Sequence, residues 1–167
     1  MWLDLSKVIE MPGAKASFKT ELSEEVLMSP AVSGFVSAPV AEGTVTNSAG
    51  VMTLRAKIEA EADCICDRCG ESFRKSFVFD PELILAADIE NSESSESDVY
   101  ALQGDGIDVS ELMEDYFILE SDTKFLCSDD CKGLCPDCGK NLNLGPCACT
   151  KPVDPRFAVL GQLLEDK

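Results

Sequence analysis

Alternating apolar and polar residues dominate the first half of the chain and predict β-strands. Within residues 51–62 charged or polar side chains alternate regularly with apolar ones, the period of two expected of a half-buried strand. Turn-forming residues at 47–50 and at Asp80-Pro81 separate such runs. The pattern predicts strands at residues 2–9, 16–22, 32–37, 40–46, 51–62, 72–79 and 83–89.

A helix is predicted after Asp108, over residues 109–119. Asp108 is a favourable N-cap, and an acidic residue stands three positions later, at Glu111. Apolar residues recur at helical spacing and form one face: Val109, Leu112, Met113, Tyr116 and Phe117. We expect this face to pack on the sheet; the alternative is a helix that binds a partner. A second, short helix is predicted at 154–166, where Asp154 can cap it and Pro155 suits its first turn.

These elements predict an α+β fold: an antiparallel sheet, a packed helix and a cysteine-rich segment that ends in a short helix. The 167 residues, of which 45% are hydrophobic, suffice for a core without crosslinks. We therefore expect one domain over 1–167. Its predicted parts are a mainly β region (1–90), an acidic flexible linker (91–106), a helix (107–122), a metal-binding segment (127–150) and a C-terminal helix (154–166).

The chain is strongly acidic, with a formal net charge of −17. Such a surface repels nucleic acid and anionic membranes and favours basic protein partners; the alternative is that the acidity only aids solubility. Residues 76–123 contain no Lys or Arg, and the acidic stretch from Asp80 to Asp122 within them is the predicted partner surface. Its candidate residues are Glu93, Glu96, Asp98, Glu111, Glu114 and Asp115.

The sequence predicts a cytoplasmic protein that does not enter membranes. Charged residues interrupt the first 22 positions, as they would not in a targeting segment. The longest uncharged run, residues 26–41, contains prolines, a glycine and serines and is not a membrane span. In a reducing compartment, nine cysteines indicate metal or redox chemistry rather than disulfides.

Two Cys-x-x-Cys-Gly segments carry the candidate chemistry: Cys66–Gly70 and Cys135–Gly139. A two-residue spacing lets a tight turn point both sulfurs at one metal, and the glycine lets the backbone fold beneath them. The spacing of the remaining cysteines suggests two four-cysteine sites. Site one would be formed by Cys66, Cys69, Cys127 and Cys131, and site two by Cys135, Cys138, Cys147 and Cys149.

This division leaves alternatives open. Cys64 is left over, and because it precedes Cys66 by two positions it could be the true ligand. Cys131 and Cys135 could exchange roles, and only one of the sites could be filled.

Zinc is the expected metal, as one or two ions, because tetrahedral thiolate sites suit it; iron in a rubredoxin-like site is the rival. A closed shell of four thiolates has no position for water, so we expect structural sites. The chain has no histidine and no phosphate loop or nucleophile motif, and we expect a protein that is not an enzyme. A redox-regulated chaperone, in which oxidation expels zinc, is an alternative.

Three segments together resemble the YceD family, the large ribosomal RNA subunit accumulation proteins. They run from Cys66 to Phe73, from Ile107 through Leu112 to the cysteines at 127–139, and from Asp154 to Leu160. The resemblance covers roughly residues 54–164 and carries over Cys66 and Cys69 most securely. Because some members have fewer of the later cysteines, site two is expected to be specific to a lineage.

The resemblance implies a cytoplasmic, non-enzymatic factor in 23S ribosomal RNA accumulation and ribosome assembly. Combined with the charge, it suggests a basic ribosomal protein or rRNA-processing factor as partner, with local rather than broad RNA contact. The alternative from another class is a zinc-ribbon nucleic-acid-binding regulator. It would need a basic patch, for which the sequence offers only Arg68, Arg74 and Lys75.

Overall fold

The structure, a computed structural model, describes residues 1–86 and 99–149, and the elements below are those of the described residues. The strands are β1 (Trp2–Asp4), β2 (Lys15–Glu21), β3 (Val32–Ser48), β4 (Val51–Ile65), β5 (Ser72–Phe79), β6 (Glu82–Ala86), β7 (Val99–Ala101) and β8 (Gly106–Asp108). The α-helices are α1 (Ser6–Glu10), α2 (Glu24–Leu27) and α3 (Val109–Glu120), and a 3-10 helix spans Leu142–Leu144.

A mixed, mostly antiparallel sheet is built around the long β3–β4 hairpin. Its strands follow the order β2-β3-β4-β6-β7, and only β6 and β7 pair in parallel. Strand β4 has two partners on the same side, since its first half pairs with β6 and its second half with β5. Strands β1 and β8 form a separate two-stranded sheet. The end of β4 leads directly into the first Cys-x-x-Cys turn, so the sheet fixes where that turn lies.

Helix α3 packs its apolar face on the sheet, as the sequence predicted. Asp108 caps it by accepting hydrogen bonds from the N–H groups of Ser110 and Glu111. The buried Phe117 contacts two aromatic rings of β5, with its centroid 5.2 Å from that of Phe77 and 5.3 Å from that of Phe79. Such ring pairs contribute beyond the area that they bury. The carboxyl end of α3 therefore lies over β5, close to the cysteines.

The predicted α+β class is confirmed, and most strand positions agree with the pattern. The predicted strands at 32–37 and 40–46 are parts of one strand, β3, whose pairing with β4 is shifted between Val32 and Val40. Such irregularities bend a strand without ending it. The strand predicted at 2–9 is wrong beyond Asp4, because residues 6–10 form α1. Leu5 and Val8 lie three positions apart and are both buried, a spacing that suits a helical turn and not a strand.

Several predicted segments fall partly or wholly outside the described residues. Of the predicted linker 91–106, the described part includes the strand Val99–Ala101. Residues 91–98 and the predicted helix at 154–166 lie outside it. The longest helix in the described ranges, α3, has 12 residues, and no helix there combines the length and apolarity that crossing a bilayer requires.

Candidate metal centres

The two Cys-x-x-Cys segments fold into the same turn. In the first, the N–H of Cys66 donates to the carbonyl of Glu71 at 2.9 Å and the N–H of Gly70 donates to the carbonyl of Cys66 at 2.8 Å. In the second, Cys135 and Gly139 make the equivalent bonds at 2.8 and 2.9 Å. Gly70 and Gly139 have φ of 72° and 70°, a conformation that glycine adopts without steric cost. We refer to these turns as knuckle one and knuckle two.

Knuckle one meets two cysteines that follow α3. The sulfur atoms of Cys66, Cys69, Cys127 and Cys131 all lie within 4.8 Å of one another. Cys66 Sγ is 3.8 Å from Cys131 Sγ, and Cys69 Sγ is 3.7 Å from Cys127 Sγ. A disulfide would place the sulfurs about 2 Å apart, and all four residues are free thiols. This group could hold a metal ion, and its members are those that spacing assigned to site one.

Knuckle two meets the last two cysteines of the chain. The sulfurs of Cys135, Cys138, Cys147 and Cys149 also lie within 4.8 Å of one another. This second group could likewise hold a metal ion, and it coincides with the set that spacing assigned to site two. The exchange of Cys131 and Cys135 between the sites does not occur.

The two groups differ in their exposure. In site one, three of the four cysteines are buried, and Cys127 alone is exposed. In site two, Cys135 is buried, Cys147 is half-buried and both Cys138 and Cys149 are exposed. Solvent and solutes therefore reach site two more readily than site one.

The thiols of site one ionise unequally. Burial opposes ionisation of Cys66, but the backbone N–H groups of Cys127, Arg68 and Cys69 outweigh it and lower the pKa of Cys66 to about 6. Although the Cys127 residue is exposed, the other three thiols partly desolvate its sulfur and form hydrogen bonds with it, and together these effects raise the pKa of Cys127 to about 12. Because several thiolates at this separation repel one another, a bound cation would favour ionisation of the whole group.

Site two shows the same asymmetry. The backbone N–H groups of Cys138 and Asp137 lower the pKa of Cys135 to about 7. The hydrogen bond with Cys138, followed by burial, raises the pKa of Cys149 to about 12. In both groups the pKa of the first cysteine of the knuckle is therefore lowered, because backbone N–H groups donate to its sulfur and stabilise the thiolate.

Backbone and side-chain hydrogen bonds join the two groups into one unit. Arg68 Nη1 donates to the carbonyl of Cys131 at 3.0 Å, and Leu134 N–H donates to the carbonyl of Arg68 at 3.1 Å. Asn143, in the loop between the second and third cysteines of site two, donates from Nδ2 to Cys131 Sγ at 3.3 Å. Its Oδ1 accepts from the N–H of Lys132 at 2.8 Å. A side chain from one group therefore supports a ligand of the other.

Asp67, between the two cysteines of knuckle one, fixes the chain that enters Cys127. Its N–H donates to the carbonyl of Phe125 at 2.8 Å, and its Oδ2 accepts from the N–H of Phe125 at 2.7 Å. Sequence reasoning identified neither Asp67 nor Asn143 as functional. The only sequence signal was a polar residue in the loop between two cysteines, and the group to which that residue bonds is not adjacent in sequence.

Cys64 lies outside both groups. It is fully buried in the main hydrophobic core, and burial raises the pKa of its thiol. The alternation that placed it beside Cys66 does not continue past Ile65, where β4 ends and knuckle one begins. Cys66 is the member of site one, and Cys64 acts as a core residue.

The predicted partner surface is only partly described. Glu111 and Asp115 are exposed on α3, whereas Glu114 is half-buried and its Oε1 accepts from the N–H of Ser23 at 2.8 Å. Glu114 thereby joins α3 to the start of α2. Glu93, Glu96 and Asp98 lie outside the described residues.

The basic group beside knuckle one is largely occupied within the chain. Arg68 binds backbone carbonyls of the cysteine segment, and Arg74 forms a salt bridge with Asp63 at 3.2 Å. Lys75 forms a salt bridge with Asp122.

Comparison with known proteins identifies the family of the chain. The sequence model of the large ribosomal RNA subunit accumulation protein YceD matches residues 54–164. The chain belongs to the YceD family. The match includes both four-cysteine groups, β4, β5 and α3, and it confirms the resemblance that the cysteine segments indicated.

Two relatives of the chain are uncharacterized proteins of Mycobacterium tuberculosis and Mycobacterium bovis. Each is 28% identical over 174 residues, an alignment that covers 98% of this chain and 81% of the relative. No solved structure matches the chain. The YceD family is therefore the finding that bears on function.

Proposed function

We propose that this YceD-family protein is a zinc-binding, non-enzymatic factor that supports accumulation of 23S ribosomal RNA and assembly of the large subunit. The family match over residues 54–164, together with two four-cysteine groups inside it, carries the proposal. The family is named for a role in large ribosomal RNA subunit accumulation. The metal groups supply a fixed structural unit rather than a reaction centre.

The donor set fits zinc at both sites. Four sulfurs around a tetrahedral zinc, at the usual Zn–S distance of about 2.3 Å, lie about 3.8 Å apart. The separations of 3.8 and 3.7 Å in site one agree with that value. An all-thiolate set without carboxylates or imidazoles selects zinc or iron over harder cations. Absorption spectroscopy separates these two, because a ferric tetrathiolate is red and a zinc one is colourless.

The proposal that the protein is not an enzyme follows from the same donor set. Four thiolates fill the tetrahedral positions of zinc and leave none for a water or a substrate. Zinc in such a site stabilises the fold that surrounds it. In this chain it would hold the end of β4 against the segment that follows α3.

The acidic surface favours a basic partner, which we propose is a ribosomal protein or an rRNA-processing factor. Glu111 and Asp115 are exposed on α3, and opposite charges steer and select partners. Broad contact with RNA is disfavoured because the basic residues beside knuckle one already bind groups of the chain itself.

Deletion of the gene in the organism that encodes it tests the function. We expect the ratio of 23S to 16S ribosomal RNA to fall, and wild-type protein to restore it. Cys66→Ser together with Cys69→Ser should fail to restore it, whereas the matched pair Ser33→Ala and Ser37→Ala on the sheet should succeed. An unchanged ratio after deletion would reject the ribosomal RNA role.

A redox-regulated chaperone is the second candidate, favoured by the exposure of Cys138 and Cys149 in site two. Peroxide would then oxidise these thiols, release zinc and expose an apolar surface. Treatment with peroxide, followed by measurement of zinc content and of suppression of aggregation of a denatured client, distinguishes the two functions. The proposed structural role predicts that zinc loss gives no gain in chaperone activity.

A further inference from the structure

An apolar cavity of about 270 Å³ lies between α2, the end of α3 and strand β5. Its walls include Phe77, Phe117 and Phe125, and its lining is mostly apolar. This volume is below the range of roughly 300–1,000 Å³ typical of sites for small molecules, and it suits one or two apolar side chains. Such pockets are where the anchoring residues of a protein partner insert.

The mouth of the cavity is surrounded by exposed apolar side chains. Val26 and Met28, in and just after α2, and Ile118, in the last turn of α3, line the cavity and are 48%, 46% and 49% exposed. Leu119 follows Ile118, is 74% exposed and lies next to the lining rather than in it. Single exposed apolar residues are ordinary, but three at one cavity form a patch of the kind that marks interaction sites. We call these three residues, the adjacent Leu119 and the cavity behind them the anchor patch.

Acidic residues surround the anchor patch. Glu24 and Glu25 lie in α2, and Glu120 and Asp122 follow at the end of α3. Glu24, Glu25 and Glu120 form no salt bridge among the described residues, and α2 and α3 contain no Lys or Arg. Two basic residues lie nearby. Lys75 is paired with Asp122 and lies over the rings of Phe77 and Phe125, and the exposed Lys124 lies between the lining residues Thr123 and Phe125, so acidic residues still outnumber basic ones at the rim.

One wall of the cavity is attached to site one. The backbone of Phe125 is held by Asp67 in knuckle one, because its carbonyl accepts from the N–H of Asp67 at 2.8 Å and its N–H donates to Asp67 Oδ2 at 2.7 Å. Cys127, a member of site one, follows Phe125 by two residues. The position of the wall therefore depends on the position of the knuckle.

We propose that the anchor patch is the docking site for a basic, amphipathic segment of a protein partner, which inserts an apolar side chain into the cavity. The inference rests on the proposed function for the basic character of the partner and adds the surface that binds it. The acidic rim pairs with Lys or Arg of that segment, and Asp67 keeps the pocket open by fixing Phe125.

Charge disfavours three other occupants of the anchor patch: a second copy of this chain, its own C-terminal residues and an anionic lipid surface. A second copy of this chain would bring its own excess of acidic residues to an acidic rim. The C-terminal residues 151–167 balance Asp154, Glu165 and Asp166 against Lys151, Arg156 and Lys167, so they bring no net positive charge to the acidic rim. An anionic lipid surface is repelled for the same reason.

Site-specific photo-crosslinking in living cells tests the proposal with the full chain. The crosslinking residue p-benzoylphenylalanine would replace Leu119 in one strain and Val51 in a control strain. Val51 is an exposed apolar residue at the start of β4, whereas knuckle one follows the other end of that strand. We expect Leu119 to crosslink to a Lys- or Arg-rich segment with an apolar face, identified by mass spectrometry, and Val51 not to crosslink to it.

A cavity-filling variant, Ser29→Leu, tests whether the anchor enters the pocket. Ser29 lines the cavity, and its buried hydroxyl has no hydrogen-bond partner among the described residues, so the change breaks no hydrogen bond. We expect it to reduce the Leu119 crosslink by about tenfold. Asp67→Ala should reduce the crosslink similarly while the purified protein keeps its zinc; circular dichroism shows whether each variant is folded.

Crosslinks from Leu119 to a second copy, to residues 154–166, to RNA or to an acidic protein would overturn the proposal, as would equal yields at Leu119 and Val51. Unchanged crosslinking in a folded Ser29→Leu variant would also overturn it. The identity of the crosslinked partner tests the ribosomal role separately from the docking site. A basic amphipathic segment from a protein unrelated to ribosomes would support the docking site and contradict the ribosomal role.

Discussion

Asn143 lies in the loop of site two and Cys131 is a member of site one, yet the Asn143 side-chain amide donates a hydrogen bond to the Cys131 sulfur at 3.3 Å. This bond is the first cause of the lowered pKa of Cys131. Asn143 lies in the loop between Cys138 and Cys147, whose ends meet at site two. Metal binding at site one should therefore depend on a residue whose position site two fixes.

Replacement of Asn143 should weaken metal binding at site one. Loss of a hydrogen bond that supports a metal ligand lowers metal affinity by roughly 10–100-fold, and we expect Asn143→Ala to lower the affinity of site one by a factor in that range. Asn143→Asp keeps an oxygen that can accept from the N–H of Lys132, but it replaces the N–H donor by a negatively charged carboxylate oxygen beside Cys131, so we expect it to weaken binding at least as much. Cobalt titration, followed through the thiolate charge-transfer band, measures the affinity.

Leu144→Ala is the matched control for this series. Leu144 is the neighbour of Asn143 and is 80% exposed, so its loss should leave cobalt affinity unchanged. Equal affinities for wild type and both Asn143 variants would show that the bond to Cys131 does not contribute.

Chelation should remove the metal in two steps, first from site two and then from site one. Three of the site-one cysteines are buried, whereas Cys138 and Cys149 are exposed, and a chelator must reach the metal to take it. A colour indicator for free zinc would record the two phases. Cys147→Ser should abolish the fast phase alone, and a single phase in the wild type would contradict the prediction.

Metal binding should release protons, and more of them at lower pH. At about pH 7, Cys66, with a pKa of about 6, is mostly ionised, whereas Cys127, with a pKa of about 12, carries a proton that the metal must displace. Below about pH 6 the metal must also displace the proton of Cys66, so affinity falls more steeply as pH decreases. Calorimetric titrations in buffers of different ionisation enthalpy count these protons. A count that does not rise between neutral and acidic pH would be inconsistent with this order of ionisation.

Loss of the α3 cap should destabilise the fold. Asp108 accepts from two N–H groups at the start of α3, and removal of such a cap costs typically about 1 kcal/mol. We expect Asp108→Ala to lower the free energy of unfolding by that amount in urea denaturation. Asp105→Ala, an exposed aspartate in the preceding turn, should change it by less than about 0.5 kcal/mol.

The sequence predicted the elements whose signal is local and missed those set by distant contacts. Asp108 and the apolar face of α3 determine that helix within a few residues, and the prediction of 109–119 differs from the structure by one residue. The two cysteine sets follow from spacing because short loops limit which sulfurs can meet. The helix α1 was missed, since Leu5 and Val8 become buried only through residues far along the chain.

The supporting residues of the site were beyond prediction for a related reason. Asp67 acts on Phe125 and Asn143 on Cys131, and neither partner is implied by a sequence pattern. The anchor patch combines residues of α2 and α3 that are about 90 positions apart, as the bond between Ser23 and Glu114 illustrates. Only the fold brings those positions to one surface.

Site one joins sulfurs that are 58 and 65 positions apart in the chain. A link across a loop of that length reduces the entropy of the unfolded chain by an amount worth about 4 kcal/mol when formed by a disulfide, and a metal clip acts in the same way. The free energy that typically separates folded from unfolded domains is about 5–15 kcal/mol, so such a link would supply between about a quarter and four-fifths of it. The lifetime of the protein in the cell would then follow the concentration of free zinc, and scarcity of the ion would deplete the factor by proteolysis.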